Sequence, residues 1–138
     1  MSCILRATGK NFAVDEFAKD KDIEFTQIFK KGKPRFPNSK VIDEINKFSG
    51  IGIEVSGADM SEMVLQIEEA TLFLQSNKSL INELITYDGV ESAVLDFGVE
   101  TKPPFWSTYT LPPELVTLAG NYGLSICISV YPCDDEET

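Results

Sequence analysis

Five carboxylates, Glu68, Glu69, Glu91, Asp96 and Glu100, are the side chains of this sequence best placed to do chemistry. Paired acids can share a proton in general acid–base work or hold a metal ion. Glu68 and Glu69 are neighbours in a helical pattern, so they point about 100° apart and cannot chelate from one face. They read as the solvated side of that helix. Asp96 lies between Leu95 and Phe97 in a strand pattern, so its carboxylate points away from theirs. Beneath a helix it would be a buried charge in need of a partner; on an open face it would be ordinary surface chemistry. The water-facing reading is the expected one, because Asp is seldom fully buried. In a pocket with Tyr131 or Lys102, Asp96 would make a carboxylate-based enzyme or small-ligand site. The rest of the usual apparatus is missing. The chain has no histidine, hence no Ser-His-Asp or Cys-His arrangement and no imidazole metal ligand. It has no phosphate-binding glycine loop, no CxxC and no HExxH. No catalytic residue, metal or cofactor is expected, and enzyme function is the lesser expectation.

The loop from Lys102 to Pro113 (KPPFWSTYTLPP) offers a different chemistry. Phe105, Trp106 and Tyr109 are the residue types that anchor protein interfaces, since they cover much area with few rotatable bonds. Pro103, Pro104, Pro112 and Pro113 restrict the loop and lower the entropy lost on binding. Folded back, the same aromatics would be a lid on the core, and the sequence leaves lid and binding surface both open. Lys30, Lys31, Lys33, Arg35 and Lys40, interleaved with Phe29 and Phe36, form the one basic patch. Cations with stacking aromatics suit nucleic acid, but the net charge of −10 opposes it, so nucleic acid is not an expected partner.

That net charge is unevenly placed. Residues 1–48 carry ten of the twelve bases and sum to +3, whereas residues 49–138 sum to −13. A field of this kind favours a basic partner, with Glu91, Glu100 and the tail Asp134 to Glu137 steering it. Docking of the basic loop on the acidic half of a second copy is a further possibility for such a chain. At 138 residues the length is that of one domain, here 1–133, followed by an acidic, apolar-poor tail over 134–138. Cys3, Cys127 and Cys133 are odd in number and unclustered, which fits free thiols in a reducing compartment. The start lacks a signal-peptide pattern, and no apolar run reaches the roughly 18 residues of a membrane span. The expected address is cytoplasmic, with no membrane partner.

The elements that must position these residues follow from periodicity. Alternation marks strands at 3–7, 23–29, 51–55, 93–99 and 124–131. Helical spacing marks a short turn at Phe12 to Phe17 and a helix over Ser39 to Phe48. A longer helix carries Met63, Ile67, Ala70 and Leu74, interrupted at Asn77 and resumed to about Thr86. Asp59 and Glu62 have capping-box spacing before it. Pro113 suits the first turn of a last helix and Gly123 its stop. The expected fold is α+β, a two-layer sandwich of a mostly antiparallel five-stranded sheet with helices packed on one face.

Several stretches carry a resemblance: Met1 to Arg6, Ser49-Gly50-Ile51 through Asp59, Leu95-Asp96-Phe97-Gly98, Pro112 to Leu115 and Ser129 to Pro132. Together they resemble a widespread family of small bacterial proteins of unknown function, some of whose wider relatives look like immunity proteins of toxin systems. The resemblance implies a bacterial, cytosolic, non-enzymatic protein and carries no site residues. The expectation is therefore a protein-binding module, of immunity type, that sequesters a basic toxin or effector through Phe105, Trp106 and Tyr109.

Overall fold

A computed structural model describes residues 2–35, 45–103 and 107–132. The fold is α+β. Its elements run β1 (Cys3–Gly9), α1 (Val14–Ala18), β2 (Gln27–Phe29), β3 (Ser49–Ser56), α2 (Met63–Ser76), α3 (Lys78–Thr86), β4 (Ser92–Thr101), α4 (Pro113–Tyr122) and β5 (Ser125–Pro132). The strands form one five-stranded sheet in the order β2-β3-β1-β4-β5. Three of its pairings are antiparallel, and β4 with β5 is parallel. The parallel pair follows from the chain: α4 lies between β4 and β5 and carries the return that two parallel neighbours require.

Register decides which side chains meet. Leu5 pairs with Ile53 on one side and Leu95 on the other, and Ala7 with Ile51 and Ala93. The odd-numbered residues of β1, β3 and β4 therefore share a face, and the buried apolar residues of these strands are all odd-numbered. Into the same cluster go Phe12 and Phe17, Met63, Ile67, Ala70 and Leu74 of α2, Ile81 and Leu84 of α3, and Leu115, Ala119 and Tyr122 of α4. The helical spacing read from the sequence is thus the spacing of the buried stripe. The Tyr122 hydroxyl donates to the Leu74 carbonyl at 2.6 Å and ties α4 to the end of α2. Gly123, at φ +77°, closes α4: the Leu124 amide reaches back to the Ala119 carbonyl at 2.8 Å, a geometry that favours glycine.

Three expectations are corrected. The second strand is shorter than 23–29, because only Gln27 to Phe29 pair with β3; Ile23 and Phe25 pack half-buried against the core instead. The helix over 39–48 falls largely outside the described residues, and its described end is not helical. There Ile45 bridges Pro34, and Asn46 exchanges backbone bonds with Gly32 and Lys33, which makes 30–34 and 45–49 a ribbon continuing β2 and β3. The capping box does not form. The Asp59 carboxylate accepts from the Ser61 amide and hydroxyl, at 2.9 and 2.8 Å, so it closes a turn and α2 starts only at Met63. Those two bonds hold the Asp59 carboxyl below the ordinary carboxylate range.

Candidate functional site

The even-numbered face of the sheet is where polar side chains collect. Ile4, Arg6 and Thr8 of β1 stand there beside Gly50, Gly52 and Glu54 of β3 and Val94, Asp96, Gly98 and Glu100 of β4. Beyond them come Cys127, Ser129 and Tyr131 of β5 and, at the other edge, Gln27 and Phe29 of β2. Of the two glycines of β3, Gly50 is required by its neighbours, since a Cβ there would lie 2.4 Å from Phe29 Cζ and 2.8 Å from the Ala7 carbonyl oxygen. At Gly52 the nearest atom to a Cβ, at 2.9 Å, is Gln27 Oε1, the mobile end of a side chain. Because β3 offers no side chain at these positions, Gln27 and Phe29 lie across it toward β1.

A polar row results. Arg6 Nε donates to Gln27 Oε1 at 3.5 Å, and Arg6 Nη1 to Asp96 Oδ2 at 3.4 Å. Asp96 also accepts from the Ser129 hydroxyl at 2.7 Å. The carboxylate that parity pointed away from the core is thus neither buried without a partner nor freely solvated. Its side chain is 17% exposed and is held by an arginine two strand positions off its own register. On the core side of the same sheet, burial and then the Asp96 charge push the Cys3 thiol far above its ordinary value.

Beside the row lies an open hollow of about 970 Å³ between the sheet and the ribbon, lined among others by Arg6, Gln27, Phe29, Lys47 and Phe48. At the opposite end of the strands, acids gather. Ile4 pairs with Glu54 on one side and Asp96 on the other, which sets those two positions about 10 Å apart on one face. The Glu100 amide donates to the Met60 carbonyl at 3.3 Å, so the turn bearing Asp59 and Glu62 stands next to Glu100. These acids stand at the end of the sheet away from the ribbon, with Lys102 close enough to Asp59 to act on its charge, while Glu91 lies at the ribbon's end.

The remaining candidate residues are scattered. Glu91 accepts from the Lys10 amide at 2.5 Å and so holds the turn after β1. Glu100 is half-buried at the far end of β4, about 30 Å of strand away, so the two acids share no surface. Tyr109 packs half-buried against the core. Phe105 and Trp106 lie outside the described residues, as do Phe36, Lys40, Cys133 and the acidic tail. Glu69 accepts from the Ser56 hydroxyl at 2.6 Å, and Glu68 is exposed. Tyr131 leans over Gly98, its ring 3.4 Å from where a Cβ there would stand, and makes no described bond to Asp96; nor does Lys102. Lys30 pairs with Asp15 at 2.5 Å. Sequence reasoning misses Arg6, Gln27 and Ser129; the signal available is the glycine pair at a spacing of two in a strand, which marks a bare stripe.

No helix of the described residues is long and apolar enough to cross a membrane. No family model, curated protein or solved structure matches the chain.

Proposed function

We propose that this protein is a non-enzymatic binding module that holds a basic protein against the acidic end of its sheet. The observation that carries the reading is the convergence there of Glu54, Asp59, Glu62 and Glu100, drawn from β3, the turn before α2, and β4. Glu54, Asp59 and Glu62 lie within nine residues of one another, and the backbone bond from Glu100 to Met60 sets Glu100, from β4, beside their turn. Opposed charge speeds encounter and selects against acidic competitors, which suits a protein that must find a cationic target. The resemblance to immunity proteins of toxin systems points the same way, to sequestration of a basic toxin or effector.

The test is affinity capture from a lysate at low and raised salt, run in parallel with wild type, Glu54→Lys and Asp88→Lys. Both substitutions change the charge equally at exposed positions, at opposite ends of the sheet. The expected result is a basic protein held by wild type and Asp88→Lys, released by salt, and bound about tenfold more weakly by Glu54→Lys. Equal retention by all three chains, or no basic protein at low salt, refutes the reading.

A further inference from the structure

The hollow beside Arg6 has properties that the acidic end does not explain. It is an exception on a chain of net charge −10: Arg6, Arg35 and Lys47 line it, and among the described residues no carboxylate does. It is also part aromatic, with Phe29 on the sheet side and Phe48 on the ribbon side. Gly50 lets the Phe29 ring lie across β3 at the edge of the hollow, since a Cβ there would collide with that ring and would stand 2.8 Å from the Ala7 carbonyl oxygen. Its volume of about 970 Å³ is at the upper end of the range of small-molecule sites.

We propose that this hollow binds a small anion whose charged group is carried on a flat, apolar ring. The guanidinium of Arg6 is held in place for it. Among the described residues its bonds to Gln27 and Asp96 use Nε and Nη1, and the Nη2 end of the fork is left to donate. An arginine already oriented by two partners loses little freedom when it takes up a carboxylate or a phosphate. Lys47 supplies a second positive charge from the ribbon, and the rings of Phe29 and Phe48 supply faces for the ring of the ligand. Thr8 and Asn46, also on the lining, offer hydroxyl and amide groups to orient it.

Two sources share this chemistry, aryl carboxylates and nucleotides, and the experiment separates them. Naphthoate and adenosine monophosphate are titrated separately into the full chain, with naphthamide as the neutral counterpart of the first, and binding is followed by amide chemical shifts. The expected result is saturable binding of at least one anion, with shifts concentrated at Thr8, Gln27 and Asn46. Naphthamide should bind about tenfold more weakly than naphthoate if the carboxylate source is right, and Lys47→Gln should weaken whichever anion binds by about tenfold. Saturation by adenosine monophosphate alone assigns the site to phosphate. Lys47 is exposed, so its substitution leaves the fold intact; Arg6→Lys, which keeps charge but loses the fork, should lie between Lys47→Gln and wild type. Saturation by neither anion, shifts centred elsewhere, or an unchanged affinity in Lys47→Gln overturns the proposal.

Discussion

Replacing Gly9 with alanine tests the packing that fixes the sheet against the turn before β4. Gly9 ends β1 on its buried face, and a Cβ there would stand 1.7 Å from the carbonyl oxygen of Gly89 and 3.1 Å from the Glu91 amide nitrogen. Cβ contacts below 3.0 Å essentially do not occur, so the two backbones must part by about 1.3 Å. Neither side can do this freely. The Glu91 amide donates to the Thr8 carbonyl at 2.8 Å, the Glu91 carboxylate holds the Lys10 amide, and Gly89 is itself at φ +92°, where a Cβ would lie 2.3 Å from the Asn11 carbonyl oxygen. A shift of that size stretches the Glu91–Thr8 bond beyond hydrogen-bond range, which costs about 1 kcal/mol. Overpacking strain adds about 2 kcal/mol, for a total near 3 kcal/mol. For a chain of this length that lowers the melting temperature by about 10 °C. Gly120→Ala is the matched control. Gly120 lies exposed inside α4, and a Cβ there would meet nothing within 4 Å, so alanine should stabilise by about 0.5–1 kcal/mol through helix propensity. Urea unfolding followed by circular dichroism gives both values. A loss below 1 kcal/mol in Gly9→Ala, at an unchanged denaturant slope, would refute the close approach.

Two further outcomes follow from the sheet. The Cys3 thiol is raised above its ordinary value of 9.0, so above about pH 9 the unfolded chain releases a proton that the folded chain keeps. Stability therefore falls as pH rises through that range, and between about pH 8 and pH 10 Cys3→Ala should lose about 1 kcal/mol less than wild type in urea midpoints; equal losses would contradict it. Arg6 and Asp96 are 28% and 17% exposed, so solvent screening discounts their pair. A double-mutant cycle of Arg6→Ala and Asp96→Ala should give a coupling of about 1 kcal/mol, and a coupling of zero would mean that the pair does not hold in solution.

What was legible in the sequence was whatever depends on local periodicity. The stripe Met63, Ile67, Ala70 and Leu74 was readable because helix geometry alone puts it on one face, and all four are buried. Pro113 and Gly123 were readable because each acts through its own backbone. Non-local pairing was not readable. β2 pairs over only three residues although β3 runs on to Ser56, and the stretch after Arg35 looks helical by spacing although Ile45 and Asn46 are paired with Pro34, Gly32 and Lys33. The candidate site failed for the same reason. Arg6 and Asp96 are ninety residues apart and meet only because β1 lies between β3 and β4, an order that no spacing reveals. Residue type gave the acids, but only the topology shows that Glu91 holds a turn while Glu54 and Glu100 share an end.

Arg6 joins the two proposed surfaces, and the sign of their coupling follows from its bonds. Its guanidinium lines the hollow and at the same time neutralises Asp96, which stands in the same register row as Glu54. An anion in the hollow draws on the charge that Arg6 now gives to Asp96, so the acidic end becomes more negative and attracts a cationic partner more strongly. A cationic partner that compensates Asp96 in turn releases Arg6 toward the hollow. Each ligand then favours the other by the same factor, because linkage between two binding equilibria is reciprocal. With Arg6 28% exposed and the pair only 3.4 Å long, that coupling is about 1 kcal/mol rather than several, since water screens both ends of the exchange. The polar row is thus better understood as a balance between two opposite charges than as a stabilising bond: a sheet that needed only stability at this place would be served as well by apolar residues.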